Sequence, residues 1–261
     1  MSLSLQERLS IKARSIWTKF GEIRDSRGLR ALERTTTPDE FPKLAFYSPT
    51  RSLTLEMRRG PNREPETREW IDSIPVGSVL WDVGANVGSF TIYAAKLGLR
   101  VVAVEPMPHN LLLLVKNIAL NEVGGSCTVL PVAMSSNNGP APMSLSSLRF
   151  GSAGHGFGVF DKFRDGNLKL AELEFGLSGV TVATAISQMG LPAPTHLKID
   201  VDGIDDQVVF GVADYLSSVQ GVCCEVQKIP ERRIQALFEH LSASGLNFSH
   251  RTQRNAFFVR G

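Results

Sequence analysis

From residue 77 onward, short and almost continuously apolar runs alternate with segments in which apolar residues recur at helical spacing. The first pattern is typical of buried strands, and the second is typical of helices that cover them. The predicted strands are residues 78–82, 100–105, 127–133, 195–200 and 221–226, with a closing pair at 247–250 and 256–259. The predicted helices are residues 89–97, 109–121, 205–215 and 230–244. This alternation predicts an α/β fold, in which a mostly parallel sheet carries helices on both faces and binds its ligand outside the carboxyl ends of the strands.

The first 70 residues follow a different pattern. An apolar stripe opposite a basic face predicts an amphipathic helix, and its members are Leu5, Leu9, Ala13, Ile16, Trp17, Phe20 and Ile23. We expect this helix to pack on the main domain; contact with a membrane surface or with a second copy in a homo-oligomer is the alternative. Residues 45–57 predict a hairpin or an extended arm, residues 58–66 a loop, and residues 64–73 a helix. The predicted organisation is an N-terminal helical or arm-like extension (1–70) and one domain (71–261), with an insertion at about 141–178.

Composition narrows the classes of function. Hydrophobic residues make up 43% and charged residues 21% of the 261 positions, which predicts a folded chain with a large core. The formal net charge is only +2, so we expect no bulk electrostatic binding of nucleic acid. No apolar run is long enough for a transmembrane segment, and the first ten residues lack the apolar region of a signal peptide, which favours a cytoplasmic protein. The three cysteines, of which Cys223 and Cys224 are adjacent in a predicted strand, fit reduced buried thiols on opposite faces of the sheet.

Three of the predicted strands end in an acidic residue: Asp82, Glu105 and Asp200. A glycine-containing turn (84–88) follows the first of them, and Glu105 lies where a carboxylate can accept hydrogen bonds from both hydroxyls of a ribose. A dinucleotide would bring a diphosphate, which Asn86 would crowd at the second glycine position and Asp82 would repel. S-adenosylmethionine has the ribose without a phosphate, and its sulfonium and ammonium groups are cationic. The acids therefore favour this cofactor.

Several motifs resemble those of the FkbM-type S-adenosylmethionine-dependent methyltransferases. They are W-D-V-G-A-N-V-G-S-F-T at 81–91, V-E-P at 104–106 with a following helix that carries Asn110, Asn117 and Asn121, L-K-I-D-V-D-G at 197–203, E-V at 225–226 and N-A-F-F-V at 255–259. The resemblance covers about residues 64–259. It implies a class I methyltransferase fold, Rossmann-like, with a mostly parallel seven-stranded sheet and an antiparallel last hairpin. It also implies O-methylation of a hydroxyl, often on a sugar or a secondary metabolite. Family members usually carry Glu where this chain has Asp202 and Asp205, so these two carboxylates reach less far by one methylene group.

The turn, the strand ends and the resemblance together define the predicted cofactor-binding residues. They are Asp82, Gly84, Ala85, Asn86, Gly88, Glu105, Pro106, Ala133 and Asp200.

A hydroxyl is a poor nucleophile, so methyl transfer to it benefits from a nearby base. The predicted catalytic residues are Asp200, Asp202 and His155. Asp200 either orients the acceptor or contacts the methionine part of the cofactor, while Asp202 is a second candidate base, with capping of the following helix as an equal alternative. His155 lies in a glycine-rich segment (151–158) that we interpret as a mobile lid, and Glu225 is expected to line the acceptor pocket. Asp200 and Asp202 could bind Mg²⁺, but no third ligand is evident and no metal site is predicted.

Other classes of function also fit an α/β sheet of this kind. Asn86 and Asp82 disfavour an NAD-linked oxidoreductase, and the presence of all three strand-end acids disfavours a non-catalytic Rossmann-like binding module. The low net charge disfavours a nucleic-acid methyltransferase. The sequence therefore favours an S-adenosylmethionine-dependent O-methyltransferase whose acceptor is a hydroxyl of a small molecule, and the acceptor itself stays open.

Overall fold

The computed structural model describes residues 34–37, 42–158, 163–164, 167–168 and 173–261. The predicted N-terminal amphipathic helix lies outside the described residues, so its packing stays a prediction. Among the helices that are described, none is long and apolar enough to cross a membrane.

The described elements alternate between strands and helices as the sequence predicts. The strands are β1 (Arg34–Thr36), β2 (Ala45–Tyr47), β3 (Val79–Val83), β4 (Arg100–Val104), β5 (Cys127–Leu130), β6 (Ala133–Met134), β7 (Gly139–Leu145), β8 (Gly156–Phe157), β9 (Phe163–Arg164), β10 (Asn167–Leu168), β11 (Leu173–Val180), β12 (His196–Ile199), β13 (Gly221–Glu225), β14 (Leu246–Arg251) and β15 (Asn255–Arg260). The α-helices are α1 (Arg51–Arg59), α2 (Pro65–Asp72), α3 (Ser89–Lys96), α4 (Pro108–Leu120), α5 (Val182–Met189), α6 (Asp205–Phe210) and α7 (Glu231–Ala243). Short 3₁₀ helices lie at Gly60–Arg63, Gly124–Ser126 and Ala213–Ser218.

Seven strands form the main sheet in the order β14-β15-β13-β12-β3-β4-β5. Every neighbouring pair from β13 to β5 is parallel, and β15 alone runs against the others, because it is antiparallel to both β13 and β14. This arrangement confirms the expected class I methyltransferase fold with its reversed last hairpin. All residues of β3, β12 and β13 are buried, as expected for parallel strands with helices on both faces.

Two large hydrophobic clusters lie on opposite faces of the main sheet. Cys224 belongs to the first cluster, which also contains side chains of α5 and α7. Cys223 belongs to the second, which contains side chains of α2, α3 and α4. Both thiols are free and buried, which confirms that the adjacent cysteines face different layers.

Two regions differ from the sequence-based expectations. Residues 51–59 form helix α1, not a hairpin or an arm, because Leu53 and Met57 are buried on one helical face and the Thr50 hydroxyl caps the first turn. The predicted boundary at residue 70 falls inside α2, whose Trp70 joins the same hydrophobic cluster as Phe46 of β2.

The expected insertion contributes most of a second, four-stranded sheet in the order β6-β11-β7-β8. Its longest contact is the antiparallel pairing of β7 with β11, and β11 also runs parallel to β6. Met143, Leu145 and Phe157 on its inner side pack with Met107, which follows β4. The second sheet is thereby held near the carboxyl end of β4.

Candidate functional site

A cavity of about 1060 Å³ opens at the carboxyl ends of β3, β4 and β12. The turn after β3 forms one wall, and residues of the second sheet and of the loop 146–155 form another. The strand order reverses between β3 and β12, and this reversal is where open α/β sheets bind ligands.

The glycine turn is fixed by close contacts on two sides. Gly84 has φ of +83°, and a Cβ atom there would lie 1.9 Å from the carbonyl oxygen of Asp200, so only glycine lets β3 and β12 end this close together. Gly88 has φ of +94°, and a Cβ atom there would lie 2.7 Å from Leu114 Cδ1 of α4. The amide of Gly84 also donates to the carbonyl of Val104 at 3.0 Å. The turn is therefore held at a defined distance from the ends of β4 and β12.

Glu105 follows β4 directly, and its carboxylate reaches the cavity wall although only 4% of the residue is exposed. Its Oε2 accepts a hydrogen bond from the amide of Asn86 at 2.8 Å, and its Oε1 accepts one from the amide of Met107 at 2.9 Å. Burial raises the pKa of Glu105 to about 7, although both hydrogen bonds act in the opposite direction. Two carboxylate oxygens have further lone pairs, so Glu105 can still accept hydrogen bonds from a ligand.

Asp82 lies behind the cavity wall, not on it. It is fully buried, and it accepts hydrogen bonds from Thr91 Oγ1 at 2.6 Å and from Lys198 Nζ at 3.0 Å. Lys198 itself lines the cavity. Burial alone would lower the pKa of Lys198, but the carboxylates of Asp82 and Asp200 raise it overall and keep the ammonium group charged. Direct cofactor binding by Asp82 stays a prediction. In the observed geometry, its carboxylate binds the ammonium group of Lys198.

Two acids lie in the chain segment that follows β12, and both face the cavity. Asp200 is half-buried; burial raises its pKa, but the nearby cations, Lys198 and Lys228 first among them, lower it overall, so its carboxylate is ionised at neutral pH. Asp202 accepts hydrogen bonds from the amide of Gly154 and from Lys228 Nζ. These contacts join the end of β12 to the glycine-rich loop and to the segment after β13.

The interpretation that Asp202 caps the following helix is wrong. The N-cap residue of α6 is Ile204, and Asp202 points away to the loop and to Lys228. Asp205, the first residue of α6, stabilises the preceding turn by accepting hydrogen bonds from the amides of Val201 and Gly203 at 2.8 and 2.9 Å. Burial raises the pKa of Asp205 to about 8.

The glycine-rich loop is tied to the cofactor side of the cavity by two asparagines. Asn110 of α4 accepts a hydrogen bond from the Gly151 amide at 2.8 Å and donates to the Ser152 carbonyl at 3.1 Å. Asn86 donates to the carbonyls of both loop residues at 3.4 Å. The Gly154 amide donates to Asp202, so side chains from opposite sides of the cavity bind the two ends of the loop.

His155 lines the cavity, but its ring nitrogens are engaged. Nδ1 accepts a hydrogen bond from the Ser146 amide at 3.3 Å, and Nε2 lies 3.2 Å from Ser152 Oγ. An acceptor at Nδ1 requires the proton on Nε2 in the neutral ring, so Nε2 donates to the serine. Burial lowers the pKa of His155, which keeps the ring neutral. In this geometry His155 orders the loop and offers no free nitrogen to a substrate proton, so its role as a base stays a prediction without support from the contacts.

The structure gathers most of the predicted site residues around one cavity. Those on its wall are Gly84, Ala85, Asn86, Glu105, Pro106, Ala133, His155, Asp200 and Asp202. Sequence reasoning missed Lys198, Lys228 and Arg254, which also line it. A signal existed for Lys198, because a lysine inside an apolar strand run needs a buried carboxylate partner. Lys228 and Arg254 carry no such local signal.

Comparison with known proteins gives distant structural similarities only. No protein-family model matches the chain, and no curated protein matches it. Solved structures that are similar include precorrin-6Y C5,15-methyltransferase from Geobacter metallireducens, with 13% identity, a TM-score of 0.43, and coverage of 75% of this chain and 88% of that chain. A protein of the NADB-Rossmann superfamily from Streptococcus agalactiae has 12% identity, a TM-score of 0.44, and coverage of 74% and 67%. Precorrin 8w decarboxylase from Methanobacterium thermoautotrophicum has 14% identity, a TM-score of 0.40, and coverage of 75% and 89%. Similarities with scores and identities this low do not identify an activity.

Proposed function

We propose that the protein is an S-adenosylmethionine-dependent methyltransferase that methylates a hydroxyl group of a small molecule such as a sugar, a glycan unit or a secondary metabolite. The observation that carries this proposal is the position of Glu105. Its carboxylate lies at the end of β4 and at the cavity wall, in contact with the glycine turn through the Asn86 amide. A carboxylate at this place accepts hydrogen bonds from a ribose diol.

The residues on the cofactor side fit this ligand better than a dinucleotide. Glu105 would hold the ribose, and Pro106, Met107 and Ala133 beside it offer an apolar wall for the adenine. Asp200 lies on the side of the methionine part, where its negative charge would favour the sulfonium and the ammonium groups. Asn86 occupies the place where a dinucleotide-binding turn needs a glycine.

The described cavity wall as a whole, with the cofactor side included, carries no net formal charge, which fits a polar acceptor of low net charge. The wall carries equal numbers of acidic and basic side chains, namely Glu56, Glu105, Glu174, Asp200 and Asp202 against Arg63, Arg149, Lys198, Lys228 and Arg254. Carboxylates and guanidinium groups can hydrogen-bond several hydroxyls at fixed angles. A wall with balanced charge lacks the positive field that a nucleic-acid backbone requires. Together with the FkbM-type motifs, this wall supports a hydroxylated small molecule.

The residues of this chain would promote methyl transfer mainly by positioning the acceptor hydroxyl relative to the cofactor. S-adenosylmethionine, when bound, supplies a methyl group on a positively charged sulfur. The residues around the cavity would hold the acceptor hydroxyl in line with that methyl group and keep water away from it. Asp200 is ionised and faces the cavity, so its carboxylate would accept a hydrogen bond from the acceptor hydroxyl and orient it.

Calorimetry tests the cofactor assignment. S-adenosylmethionine and S-adenosylhomocysteine are titrated into the wild-type chain, into E105A and into E105Q. We expect binding by the wild type and a large loss in E105A, with circular dichroism showing that the variant is folded. Methyl transfer to sugars and hydroxylated metabolites is then screened with labelled cofactor.

Other outcomes would redirect the assignment. Binding of NADH without any binding of S-adenosylhomocysteine would favour an oxidoreductase. Strongly salt-dependent binding of RNA would favour a nucleic-acid substrate. No nucleotide binding by the folded wild type would favour a non-catalytic module.

A further inference from the structure

Three carboxylates converge after β12 and at the end of β13. Asp200 and Asp202 line the cavity, whereas Glu225, which was expected to line it, is buried beside them and is not on its wall. One oxygen atom from each of Asp200, Asp202 and Glu225 lies within 4.8 Å of the other two. Glu225 is 1% exposed, and its Oε2 atom accepts no hydrogen bond from any described residue. Oxygen ligands gathered in this way bind Mg²⁺ or Mn²⁺ in many proteins. So much buried negative charge needs a cation beside it.

The nearest cation is a lysine of the same chain. The ammonium group of Lys228, in the segment after β13, contacts Asp202 Oδ1 and lies 3.3 Å from Glu225 Oε2. Arg254 approaches from the end of the sheet, with its NH2 atom 3.1 Å from Glu225 Oε1. A divalent ion among the three carboxylates would meet both cationic side chains at short range, and their repulsion would oppose its binding.

We propose that Lys228 is an internal cation that takes the place of a divalent metal ion among Asp200, Asp202 and Glu225. Its ammonium group acts as a positioning group, because it fixes the carboxylate of Asp202, which in turn holds the loop at Gly154. For this positioning to matter in catalysis, the methyltransferase function proposed above must hold. The exclusion of a divalent ion does not depend on that function.

Removal of the ammonium group should convert the cluster into a metal site. Mn²⁺ is titrated into the full-length wild type, into K228A and into K228R, which is the matched control that keeps the charge. We expect K228A to bind Mn²⁺ at least roughly tenfold more tightly than the other two, because a unit positive charge within a few ångströms of a divalent ion opposes it by this factor even in watery surroundings. Adding E225Q to K228A should remove the gain.

Calorimetry and the electron paramagnetic resonance signal of free Mn²⁺ give two independent measures of binding, and circular dichroism checks folding. K228Q, which is neutral but keeps a hydrogen-bond donor for Asp202, makes the same test if K228A does not fold. Equal Mn²⁺ affinity in the wild type and the neutral variant would overturn the proposal. The absence of Mn²⁺ binding by a folded neutral variant would overturn it as well.

The rate of methyl transfer gives a second test, because a lysine with only a structural role would not make the rate of its neutral variant respond to Mn²⁺. We expect the kcat of K228A to fall and Mn²⁺ to restore part of it, while K228R shows no response to Mn²⁺. Binding of S-adenosylhomocysteine is measured on the same samples. If the wild type does not bind it, the proposed function fails, whereas the Mn²⁺ titrations still decide whether Lys228 occupies a metal position.

Discussion

Glu105 is buried, and the role proposed for it, binding a ribose diol, requires its negative charge. Burial raises its pKa to about 7, and the amides of Asn86 and Met107 already donate to it. Ionisation of the buried Glu105 reduces stability. The unfolded carboxyl ionises near its ordinary pKa of 4.5 and the folded one only near 7, so folding stability falls as the pH rises through this window. A ribose diol would compensate this cost by donating to the ionised oxygens.

The affinity for adenosine should therefore depend on pH. We expect it to rise about tenfold between pH 6 and pH 8, because the ionised fraction of a group with a pKa of about 7 rises by that factor. Adenosine is the suitable probe, since it has the diol but lacks the amino acid part of the cofactor. Fluorescence or calorimetric titrations across this pH range provide the measurement. E105Q and 2′-deoxyadenosine should each show a flatter dependence, and an unchanged slope in E105Q would assign the titration to another group.

Asp82 and Lys198 form a buried ion pair, in which the loss of either side chain removes the direct ionic partner of the other. We expect D82N and K198M each to lower the free energy of unfolding by about 3–5 kcal/mol, the usual effect of breaking a buried pair. The double variant D82N/K198M should be more stable than the sum of the two losses predicts, because no buried charge is left unpaired. Urea unfolding of the four proteins measures the coupling. Additive losses would show that the two side chains act independently.

At the scale of elements, the glycine-rich loop is held at Gly154 by one side chain after β12 and at Gly151 and Ser152 by Asn86 and Asn110. Asp202 has φ of +66°, a conformation that asparagine and glycine also tolerate, so D202N and D202G keep the backbone while changing the contact. We expect amide exchange in residues 151–155 to be faster in D202G, which loses the acceptor for Gly154, than in D202N, which retains one carbonyl oxygen. Hydrogen-exchange mass spectrometry on this peptide makes the comparison. Equal exchange in D202G and the wild type would mean that Asn86 and Asn110 hold the loop without Asp202.

The elements that the sequence predicts well are those whose pattern is local. The run before Asp82 is apolar on both faces and ends at a glycine turn, so β3 and its ligand-binding end follow from adjacent residues. Helix α1 does not follow in this way, because its buried side has only Leu53 and Met57 among charged neighbours, and the partners that bury them come from elsewhere in the chain. The second sheet is equally non-local, since β11 pairs with β7 across the intervening insertion.

For the whole molecule, local spacing explains one part of the cavity wall, and contacts between distant segments of the chain explain another. Gly84, Asn86 and Glu105 lie in one β-α-β unit, so their spacing predicts that they meet. Arg254 reaches Glu225 only because the last strands reverse direction and return to β13, and Lys228 reaches Asp202 because β13 lies beside β12. When the sheet topology brings charged side chains together from distant segments, their spacing along a single sequence does not predict the contact.

His196 lies where helix α2 packs on the main sheet, and we expect protonation of its ring to weaken this packing. It is buried in β12, and the centroids of its ring and of the Trp70 ring of α2 lie 5.9 Å apart in a T-shaped arrangement. A Cβ atom at Gly221 would lie 3.0 Å from His196 Cδ2. Burial lowers the pKa of His196 to about 4. Between this value and the ordinary pKa of 6.5, the unfolded chain binds a proton that the folded chain does not, so the stability is complete above pH 6.5 and declines as the pH falls.

The difference in unfolding free energy between the wild type and H196Q isolates this effect, because every other titrating group is common to both proteins. We expect the wild type to lose about 2–3 kcal/mol relative to H196Q as the pH falls from 6.5 to 4, the amount that corresponds to a shift of this size. Denaturant unfolding at several pH values measures the difference, and H196M should give the same slope from a different starting stability. A difference that stays constant over this range would mean that the folded protein can protonate His196 without separating α2 from the sheet.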